Sequence, residues 1–303
     1  MDERLVGSRL VVVTREGVAV GGGVGSGVVD VVQGAVWGLV RAAQAENPGR
    51  FVLVDGEVSV GVGELVSAVA GSGSGEVELA LRGGGVWVPR LVAGGVLGSG
   101  PVWDPEGVVL VTGGTGGLGG VVARYLVVEE GVRHVVLSSR RGLEAPGAVE
   151  LVGELEAAGA RVRVVACDVA ERAQVARLVE GIVAERPLTG VIHAAGIGDN
   201  GLIDALTPER LDAVLAPKSD AAWWLHEMTR GMDLAAFVLF SSAGGLVLTA
   251  GQGNYAAANV FLDALAQRRC AEGLPATSMA FGLWEVGAGL GQYLSDIDRA
   301  RMA

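Results

Sequence analysis

The hydrophobic positions of this chain fall into short runs separated by polar and glycine-rich stretches. Beyond residue 105 the runs are almost uninterrupted, as in parallel strands that are buried on both faces. Strands are therefore predicted over residues 107–112, 134–138, 162–167, 190–193, 236–241 and 277–281. The intervening stretches suited to helices are residues 117–130, 149–158, 171–184 and 208–230. This alternation predicts an α/β fold, a Rossmann-like doubly wound parallel sheet.

A weaker alternation of strands and helices is predicted in the part of the chain before residue 105. Strands are predicted over residues 9–14, 51–54 and 86–92, paired in parallel, and a helix over residues 28–46. The glycines that follow the first strand are not spaced as in a phosphate-binding turn, and no cluster of acids, histidines or cysteines is present. We therefore expect this part of the chain to be structural and non-catalytic.

The boundary between the two parts is predicted in a loop rich in glycine and proline, residues 93–107. It separates a degenerate Rossmann-like structural subdomain, residues 1–104, from a catalytic subdomain, residues 105–303. An amphipathic stretch near the end predicts a partial lid over residues 286–302.

Composition excludes several classes of protein. Half of the residues are hydrophobic, which excludes a disordered chain. The 34 acidic and 23 basic side chains give a net charge of -11, which argues against a nucleic-acid partner. The two cysteines make no disulfide framework, and no apolar run reaches the length of a membrane span. A cytoplasmic protein without metal or membrane association is expected.

A glycine-rich turn directly follows the strand at residues 107–112. Glycine permits a tight turn at positive φ, and the missing side chains let a pyrophosphate approach backbone N–H groups. A position between a strand and a helix is the context of a dinucleotide-binding motif, so we predict such a site here. Its candidate residues are Thr112, Gly113, Gly114, Thr115, Gly116, Gly117, Leu118 and Gly119.

The end of the next strand indicates which dinucleotide binds. An acidic residue there holds the ribose 2′-hydroxyl of NAD, whereas a 2′-phosphate calls for arginine. The sequence offers Ser139, Arg140 and Arg141 and no acid before Glu144, so NADP(H) is predicted. His193 is interpreted as a packed, hydrogen-bonded histidine. The remaining candidate cofactor residues, at the ends of the third and fourth strands, are Asp168, Val169, Ala194, Ala195 and Gly196.

A reactive set is predicted around a tyrosine that opens a helix. Tyr255 can give a proton to a carbonyl as hydride arrives, but its ordinary pKa of about 10 must be lowered by a nearby cation. In many reductases of this architecture the cation is a lysine four residues on, where this chain has Asn259. The only lysine is Lys218. With Ser242, which closes the fifth strand, these residues supply a proton donor, an oxyanion donor, a cation and a relay amide.

These segments resemble the ketoreductase domains of modular (type I) polyketide synthases, in the short-chain dehydrogenase/reductase superfamily. The matching stretches between residues 107 and 284 are VLVTGGTGGLGG, SSRRG, CDV, HAAG, LTPERLDAVLAPK, LFSSAGG, GQGNYAAANVFLDALAQRR and FGLW. The exchange of lysine and asparagine is typical of these domains. The stretch AVWGLVRAAQAENPGRFVLVD resembles the family's non-catalytic reductase-like half. Against this family both ends of the chain look truncated, the structural subdomain included.

The resemblance implies a substrate, a cofactor and partners. The substrate would be a β-ketoacyl thioester on the phosphopantetheine arm of an acyl carrier protein, reduced by NADPH to a β-hydroxyacyl thioester. Tyr255 would protonate the nascent alkoxide and Ser242 would hold it. Lys218 would bind the nicotinamide ribose and lower the pKa of Tyr255, and Asn259 would complete the proton relay. Neighbouring domains of the same synthase are the other expected partners.

Residues that control stereochemistry in the family are altered. Members of one class carry Leu-Asp-Asp after HAAG, where this chain has Gly-Asp-Asn, and members of the other carry a tryptophan where Val247 stands. The absent tryptophan and the remaining acid favour the Leu-Asp-Asp class. Leu248 replaces a common glycine and is expected to narrow the substrate groove. The candidate substrate and stereocontrol residues are Gly198, Asp199, Asn200, Val247, Leu248 and Gln252.

Other interpretations compete with this one. A redox-inactive or epimerising ketoreductase-like domain with a docking role should have lost Tyr255 or Asn259, and both are present. A pure scaffold leaves the intact reactive set unexplained, and a free-standing reductase of small ketones leaves the amino-terminal half unexplained. Because the chain is acidic, docking of an acidic carrier protein would need a local basic patch, for which Arg268 and Arg269 are the hypothesis.

Overall fold

The computed structural model describes residues 7–21, 29–71, 75–93, 103–247 and 250–282 of the chain. Its strands form two sheets, one of four strands and one of six. The smaller sheet comes first in the sequence. Its elements are β1 (Leu10–Arg15), α1 (Val31–Glu46), β2 (Phe51–Gly56), α2 (Val62–Gly71), β3 (Glu78–Arg82) and β4 (Gly85–Trp87).

The strands of the smaller sheet lie in sequence order. β1, β2 and β3 are parallel, and β4 pairs antiparallel with β3. Asp55, at the carboxyl end of β2, is fully buried. It accepts hydrogen bonds from the Thr14 hydroxyl and the Gly17 N–H, and it forms an ion pair with Arg82. The protein's own groups therefore satisfy the buried carboxylate at this end of the smaller sheet.

The larger sheet is entirely parallel and has the order β10-β9-β8-β5-β6-β7. Its strands are β5 (Val108–Thr112), β6 (His134–Ser139), β7 (Arg161–Ala166), β8 (Leu188–His193), β9 (Ala236–Ser242) and β10 (Thr277–Phe281). The helices are α3 (Gly117–Val128), α4 (Ala148–Ala157), α5 (Arg172–Val183), α6 (Pro208–Leu215), α7 (Ala221–Thr229) and α8 (Gly253–Ala271). The strand order reverses between β5 and β8, as in doubly wound nucleotide-binding folds, so the predicted fold class is confirmed.

Alternating residues of the central strands feed two separate cores. Val109 and Val111 of β5 pack with Leu126 of α3 on one face of the sheet. Leu110 of β5 packs with Leu225 of α7 in the core on the other face. Strand side chains point to opposite faces in turn, so an uninterrupted apolar strand fits only between two layers of helices.

Several predicted elements differ from the structure. The strand predicted over residues 86–92 is reduced to β4, because Pro89 has no N–H for a sheet ladder. Helix α2 and strand β3 were not predicted, since their short apolar runs are interrupted by glycine and polar residues. The helix predicted over residues 208–230 is divided by the π-helical segment Ala216–Asp220, which contains Pro217.

The two sheets are joined by close packing of α1 against α8. A Cβ added to Gly38 would lie 2.3 Å from the Ala256 carbonyl oxygen, and one added to Gly34 would lie 2.8 Å from the Ala264 Cβ. Trp37, between these glycines, is buried and donates to the Thr14 hydroxyl at 2.8 Å. The glycines therefore let the backbones of α1 and α8 approach more closely than any larger residue would allow.

Two features predicted from sequence lie outside the described residues, the partial lid at residues 286–302 and Leu248. The predicted boundary between residues 104 and 105 stays a prediction. Within the ranges that the structure describes, every helix is too short or too polar to cross a bilayer.

Candidate active site

The glycine-rich turn joins the end of β5 to the start of α3. Gly113 has φ of +67°, and a Cβ there would lie 2.9 Å from the Ala195 nitrogen. A Cβ on Gly119 would lie 2.2 Å from the Gly113 carbonyl oxygen. No side chain caps α3, whose N-cap residue is Gly116. The N–H groups of Gly117, Leu118 and Gly119, in the first turn of α3, have no partner among the described residues, and the glycines leave the backbone open there, which fits a pyrophosphate.

Polar groups without partners lie at the end of the neighbouring strand β6. The hydroxyl oxygens of Ser138 and Ser139 are buried and have no hydrogen-bond partner. Arg140 and Arg141 follow at the surface, and neither guanidinium has a partner among the described residues. Buried polar atoms are normally satisfied, so this group of orphaned donors fits an anionic or hydroxylated ligand.

The other candidate cofactor residues line the same edge of the sheet. Asp168 follows β7 and accepts from the Ala170 N–H at 3.0 Å, whereas the Val169 side chain is part of the buried core. Ala194 follows β8 and donates its N–H to the Thr112 carbonyl at 3.2 Å. Gly196 lies against Lys218, since a Cβ there would be 3.5 Å from the Lys218 Cδ.

His193 connects β5 and β8 to the segment that carries the lysine. Its Nε2 lies 2.9 Å from the Lys218 carbonyl oxygen, and its Nδ1 lies 2.7 Å from the Thr112 hydroxyl. A carbonyl only accepts, so Nε2 carries the proton and Nδ1 of the neutral ring accepts from Thr112. Burial lowers the pKa of His193 to about 4. The prediction of a packed, hydrogen-bonded histidine is therefore confirmed.

The π-helical segment directs Lys218 inward. The side chain is buried, and its Nζ donates to the Phe240 carbonyl of β9 at 2.7 Å. Nζ also lies 5.2 Å from the centroid of the Tyr255 ring, so the lone lysine and the phenol are neighbours. Burial lowers the pKa of Lys218 to about 8, and the charge of Asp263 opposes that shift.

Tyr255, Ser242 and Asn259 converge from α8 and β9. Asn259 lies one turn after Tyr255 and donates its Nδ2 to the Tyr255 carbonyl at 2.8 Å, while its buried Oδ1 has no partner. The Ser242 hydroxyl accepts from the Gly244 N–H at 3.1 Å. The unpaired Oδ1 is an acceptor available to a bound molecule in the site.

The pKa of Tyr255 is raised, contrary to the prediction that Lys218 lowers it. Burial is the main cause, and hydrogen bonding with the side chains of Asn259 and Ser242 offsets it in part. The desolvation cost of a phenolate exceeds these favourable interactions. The hydroxyl therefore keeps its proton at neutral pH.

Asp263 is a site residue that sequence reasoning missed. It lies two turns after Tyr255 on α8, accepts a hydrogen bond from the Ser278 hydroxyl of β10, and its Oδ2 is buried without a partner. Burial raises its pKa, which Ser278, Ser241 and Lys218 partly lower. The spacing Tyr255, Asn259, Asp263 along one helical face was the signal that could have found it.

Two irregular segments border the start of α8. We call them the post-β8 segment, residues 198–206, and the pre-α8 segment, residues 250–252. They are linked by the Gly201 N–H, which donates to the Gly251 carbonyl at 2.8 Å, and by Gln252, whose Nε2 donates to the Asn200 Oδ1 at 3.2 Å. Two predicted stereocontrol residues, Asn200 and Gln252, are thus brought together; Gly198 and Asp199 belong to the same post-β8 segment, and Val247 is exposed.

Asp199 of the post-β8 segment is paired with an arginine. Arg210 of α6 holds Asp199 through two nitrogens at 2.7 and 2.6 Å and lowers the pKa of that carboxyl. Arg210 also donates to the Asn200 carbonyl at 2.8 Å. Sequence reasoning missed Arg210, which fixes the backbone of this segment through a bidentate contact.

The proposed basic patch at Arg268 and Arg269 is wrong. Arg269 is fully buried, where its Nε donates to the Pro275 carbonyl at 3.1 Å and its guanidinium packs on the Phe237 ring. Arg268 is paired with Glu272 one turn on. Since α8 turns one of the two arginines into the core, they do not form a common surface.

The fold and the site together define a class. The doubly wound sheet has a glycine-rich turn after β5, and Ser242 of β9, Tyr255 of α8 and Lys218 of the π-helical segment lie beyond the carboxyl ends of the strands. This is the arrangement of the short-chain dehydrogenase/reductase superfamily. Members of this superfamily bind a nicotinamide dinucleotide.

Comparison with known proteins narrows the class to a family. The KR domain model matches residues 107–286, and the model of the Rossmann fold domain of polyketide synthase extender module SpnB matches residues 1–91. Polyketide synthase GfsA of Streptomyces halstedii is 56% identical over 302 residues, which are 100% of this chain and 4% of that protein. The chain belongs to the KR domain family, the ketoreductase domains of polyketide synthases.

Solved structures agree with this assignment. An A1-type ketoreductase is 43% identical with a TM-score of 0.88, over 98% of this chain and 62% of that chain. The first ketoreductase of the tylosin polyketide synthase is 43% identical with a TM-score of 0.82, over 93% of this chain and 60% of that chain. The chain thus spans less than two thirds of these solved chains and a small fraction of its curated relatives.

Proposed function

We propose that this chain reduces a β-ketoacyl thioester carried on an acyl carrier protein to the β-hydroxyacyl thioester, with NADPH as the reductant. The observation that carries the proposal is the convergence of Tyr255, Ser242, Lys218 and Asn259 beside the glycine turn. Lys218 Nζ lies 5.2 Å from the Tyr255 ring although the two residues come from different elements.

The dinucleotide would be held by residues that have no other partners. The N–H groups of Gly117, Leu118 and Gly119 would bind the pyrophosphate, and Arg140 and Arg141 would bind a ribose 2′-phosphate, with Ser138 and Ser139 beside them. Bound NADPH supplies the hydride that is added to the carbonyl carbon. Two partnerless guanidinium groups and the lack of an acid at the end of β6 favour NADPH over NADH.

Tyr255 acts as the acid. As the carbonyl carbon gains hydride, the carbonyl oxygen gains negative charge and takes the proton from the Tyr255 hydroxyl, so that one hydride and one proton convert the ketone to an alcohol. The raised pKa keeps this hydroxyl protonated beforehand. The Ser242 hydroxyl donates to the same oxygen and stabilises its developing charge.

Lys218 and Asn259 restore the proton. The charged Nζ lies 5.2 Å from the centroid of the phenol ring, where its positive charge would offset part of the desolvation cost of the phenolate that proton transfer leaves behind. The unpaired Asn259 Oδ1 accepts from a water or hydroxyl group and connects the buried site to solvent protons.

Support for the thioester and its carrier comes from the relatives, which are polyketide synthases and ketoreductases. The carrier protein and the neighbouring domains of a synthase are the proposed partners. The post-β8 and pre-α8 segments, which meet at the start of α8, would border the acyl chain and set the configuration of the product.

Replacement of Tyr255 by Phe tests the proposal. We expect turnover of a racemic 2-methyl-3-oxoacyl thioester with NADPH to fall by about 10³-fold, because the proton donor is lost. NADPH affinity should be unchanged, since the aromatic ring remains and only the hydroxyl is lost. The measurement is NADPH oxidation together with product analysis and a binding titration.

Tyr125→Phe is the matched control, because Tyr125 is exposed and its hydroxyl donates to the surface residue Glu130. Wild-type chain that binds NADPH but reduces no β-ketoacyl thioester would overturn the proposal in favour of a redox-inactive or epimerising domain. Equal turnover by wild type and Tyr255→Phe would remove the tyrosine from the mechanism.

A further inference from the structure

The carboxylate of Glu46 connects the amino-terminal sheet to the substrate side of the candidate site. Glu46 is the last residue of α1. Its Oε2 accepts from the Ile203 N–H at 2.7 Å, and its Oε1 accepts from the Gly251 N–H at 2.8 Å. One side chain therefore bridges the post-β8 segment and the pre-α8 segment, which are distant in sequence both from it and from each other.

Both segments depend on such bonds for their conformation. Neither belongs to a sheet ladder, apart from a single bridge between Gly201 and Gln252. Asn254, the residue before Tyr255, adds a bond from its Nδ2 to the Asp199 carbonyl at 3.0 Å. Charge-assisted bonds to a carboxylate are about twice as strong as neutral ones, so the two bonds to Glu46 are the strongest links of this network to α1.

Helix α1 is a rigid support for the carboxylate. Gly38 of α1 lies directly against Ala256, and Leu39 packs under Gly253 together with Ile203, because a Cβ on Gly253 would lie 3.2 and 3.3 Å from their Cδ1 atoms. The end of α1 is therefore fixed relative to the first turn of α8, which carries Tyr255. A shift of the carboxylate would move the two segments relative to the phenol.

We propose that Glu46 is a positioning residue that sets the shape of the substrate groove and thereby the configuration of the product. This inference rests on the proposed reductase function. It gives the amino-terminal part of the chain, expected to be only structural, a direct role in substrate handling. The two N–H donors face one acceptor oxygen each, so an amide at this position can serve only one of them.

The test compares Glu46→Gln and Glu46→Ala with a matched variant, Gln44→Ala. Gln44 lies on the same helix, is also partly buried, and donates to the Phe51 and Val77 carbonyls inside the amino-terminal sheet at 3.4 and 3.1 Å. It therefore reports any general loosening of that sheet. Hydrogen exchange at the Ile203 and Gly251 amides is measured together with KM, kcat and the diastereomer ratio from a racemic 2-methyl-3-oxoacyl thioester.

We expect faster exchange at both amides in Glu46→Ala, a rise in KM of about 10-fold and a changed diastereomer ratio, with NADPH affinity unchanged. Glu46→Gln should give a smaller effect, because one acceptor remains. Gln44→Ala should leave the exchange at Ile203 and Gly251 and the diastereomer ratio as in the wild type, even if it lowers Tm.

Unchanged exchange at Ile203 and Gly251 in Glu46→Ala would overturn the bridge itself. Faster exchange with an unchanged ratio and KM would overturn the positioning role. If the wild type reduces no thioester, the proposed function fails, and thioester binding by the same variants then decides the inference in place of KM. If Gln44→Ala loses as much thioester binding as the Glu46 variants do, the loss reflects general loosening of the amino-terminal sheet and contradicts the positioning role of Glu46.

Discussion

At the scale of single residues, the site depends on an ammonium group held in a dry environment. Lys218 is almost fully buried, and burial brings its pKa down to about 8. Asp263 counteracts this shift through its charge. Burial raises the pKa of the Asp263 carboxyl, and Ser278, Ser241 and Lys218 partly lower it. Asp263 thus favours the charged form of Lys218 against the effect of burial.

This arrangement predicts the alkaline limb of the pH profile. The kcat of the proposed reduction should fall as pH rises through about 8, because Lys218 then loses its proton. Asp263→Asn should move this fall to lower pH, since the charge that raises the Lys218 pKa is removed. The measurement is kcat against pH at saturating NADPH. Asp233→Asn, a change at an exposed site, is the control, and an alkaline limb identical in all three proteins would contradict the role of Asp263.

At the scale of elements, His193 connects two strands and the π-helical segment. Its ring joins Thr112 at the end of β5 and the backbone of the π-helical segment to its own strand β8. The π-helical segment places Lys218 against β9 rather than in solvent. The interruption of the helix at Pro217 thus directs Lys218 toward Tyr255. In an uninterrupted α-helix the lysine would lie on a different face.

Burial of a neutral His193 makes stability depend on pH. Its pKa is about 4 in the folded chain and about 6.5 when unfolded, so between these values the unfolded state binds more protons. The free energy of unfolding should therefore fall as pH is lowered from about 6.5 to 4, by about 2 kcal/mol between pH 7 and pH 5. Guanidinium unfolding at several pH values measures it.

His193→Gln should remove this part of the pH dependence, since glutamine has no proton to gain in that range. His134→Gln is the comparison, because His134 is partly exposed at the opposite end of the sheet. If the wild type and His193→Gln lose the same free energy between pH 7 and pH 5, the neutral-histidine interpretation is wrong.

At the scale of the whole molecule, the amino-terminal sheet and the reductase sheet form one packed structure. Helix α1 lies on α8 without room for side chains at two positions, and Arg41 of α1 donates to the Gly245 carbonyl at 3.3 Å. The helix that carries Tyr255 and Asn259 is thus clamped between its own sheet and α1. The side-chain bonds of Glu46 and Arg41 link the amino-terminal part to the segments beside the site and stabilise their geometry.

Gly38→Ala tests this packing. The added Cβ would lie 2.3 Å from the Ala256 carbonyl oxygen, so the helices must move apart. We expect a loss of about 2 kcal/mol in the free energy of unfolding, as for other overpacked sites, with a lower kcat because α8 shifts. Gly63→Ala in α2, where a Cβ meets nothing within 4 Å, should instead raise stability by about 0.5 kcal/mol. Equal stability of both variants would contradict the close helix packing.

The sequence alone determined the alternation of strands and helices, the glycine turn and the types of reactive side chain. These features follow from local properties of the chain. Buried strands appear as apolar runs, and the positive φ and close backbone contacts of a tight turn require glycine. The short elements α2 and β3 carry too little periodicity to be found in this way.

Only the tertiary structure decided which groups meet. The distance of 5.2 Å between the Lys218 Nζ and the Tyr255 ring, the burial of Arg269, the pairing of Asp199 with Arg210 and the bridge made by Glu46 all join residues far apart in the chain. Such contacts leave no local pattern, and the raised pKa of Tyr255 follows from the dry interior that they create. The sequence specifies which chemical groups the site contains, whereas packing sets the distances between these groups and their exposure to water.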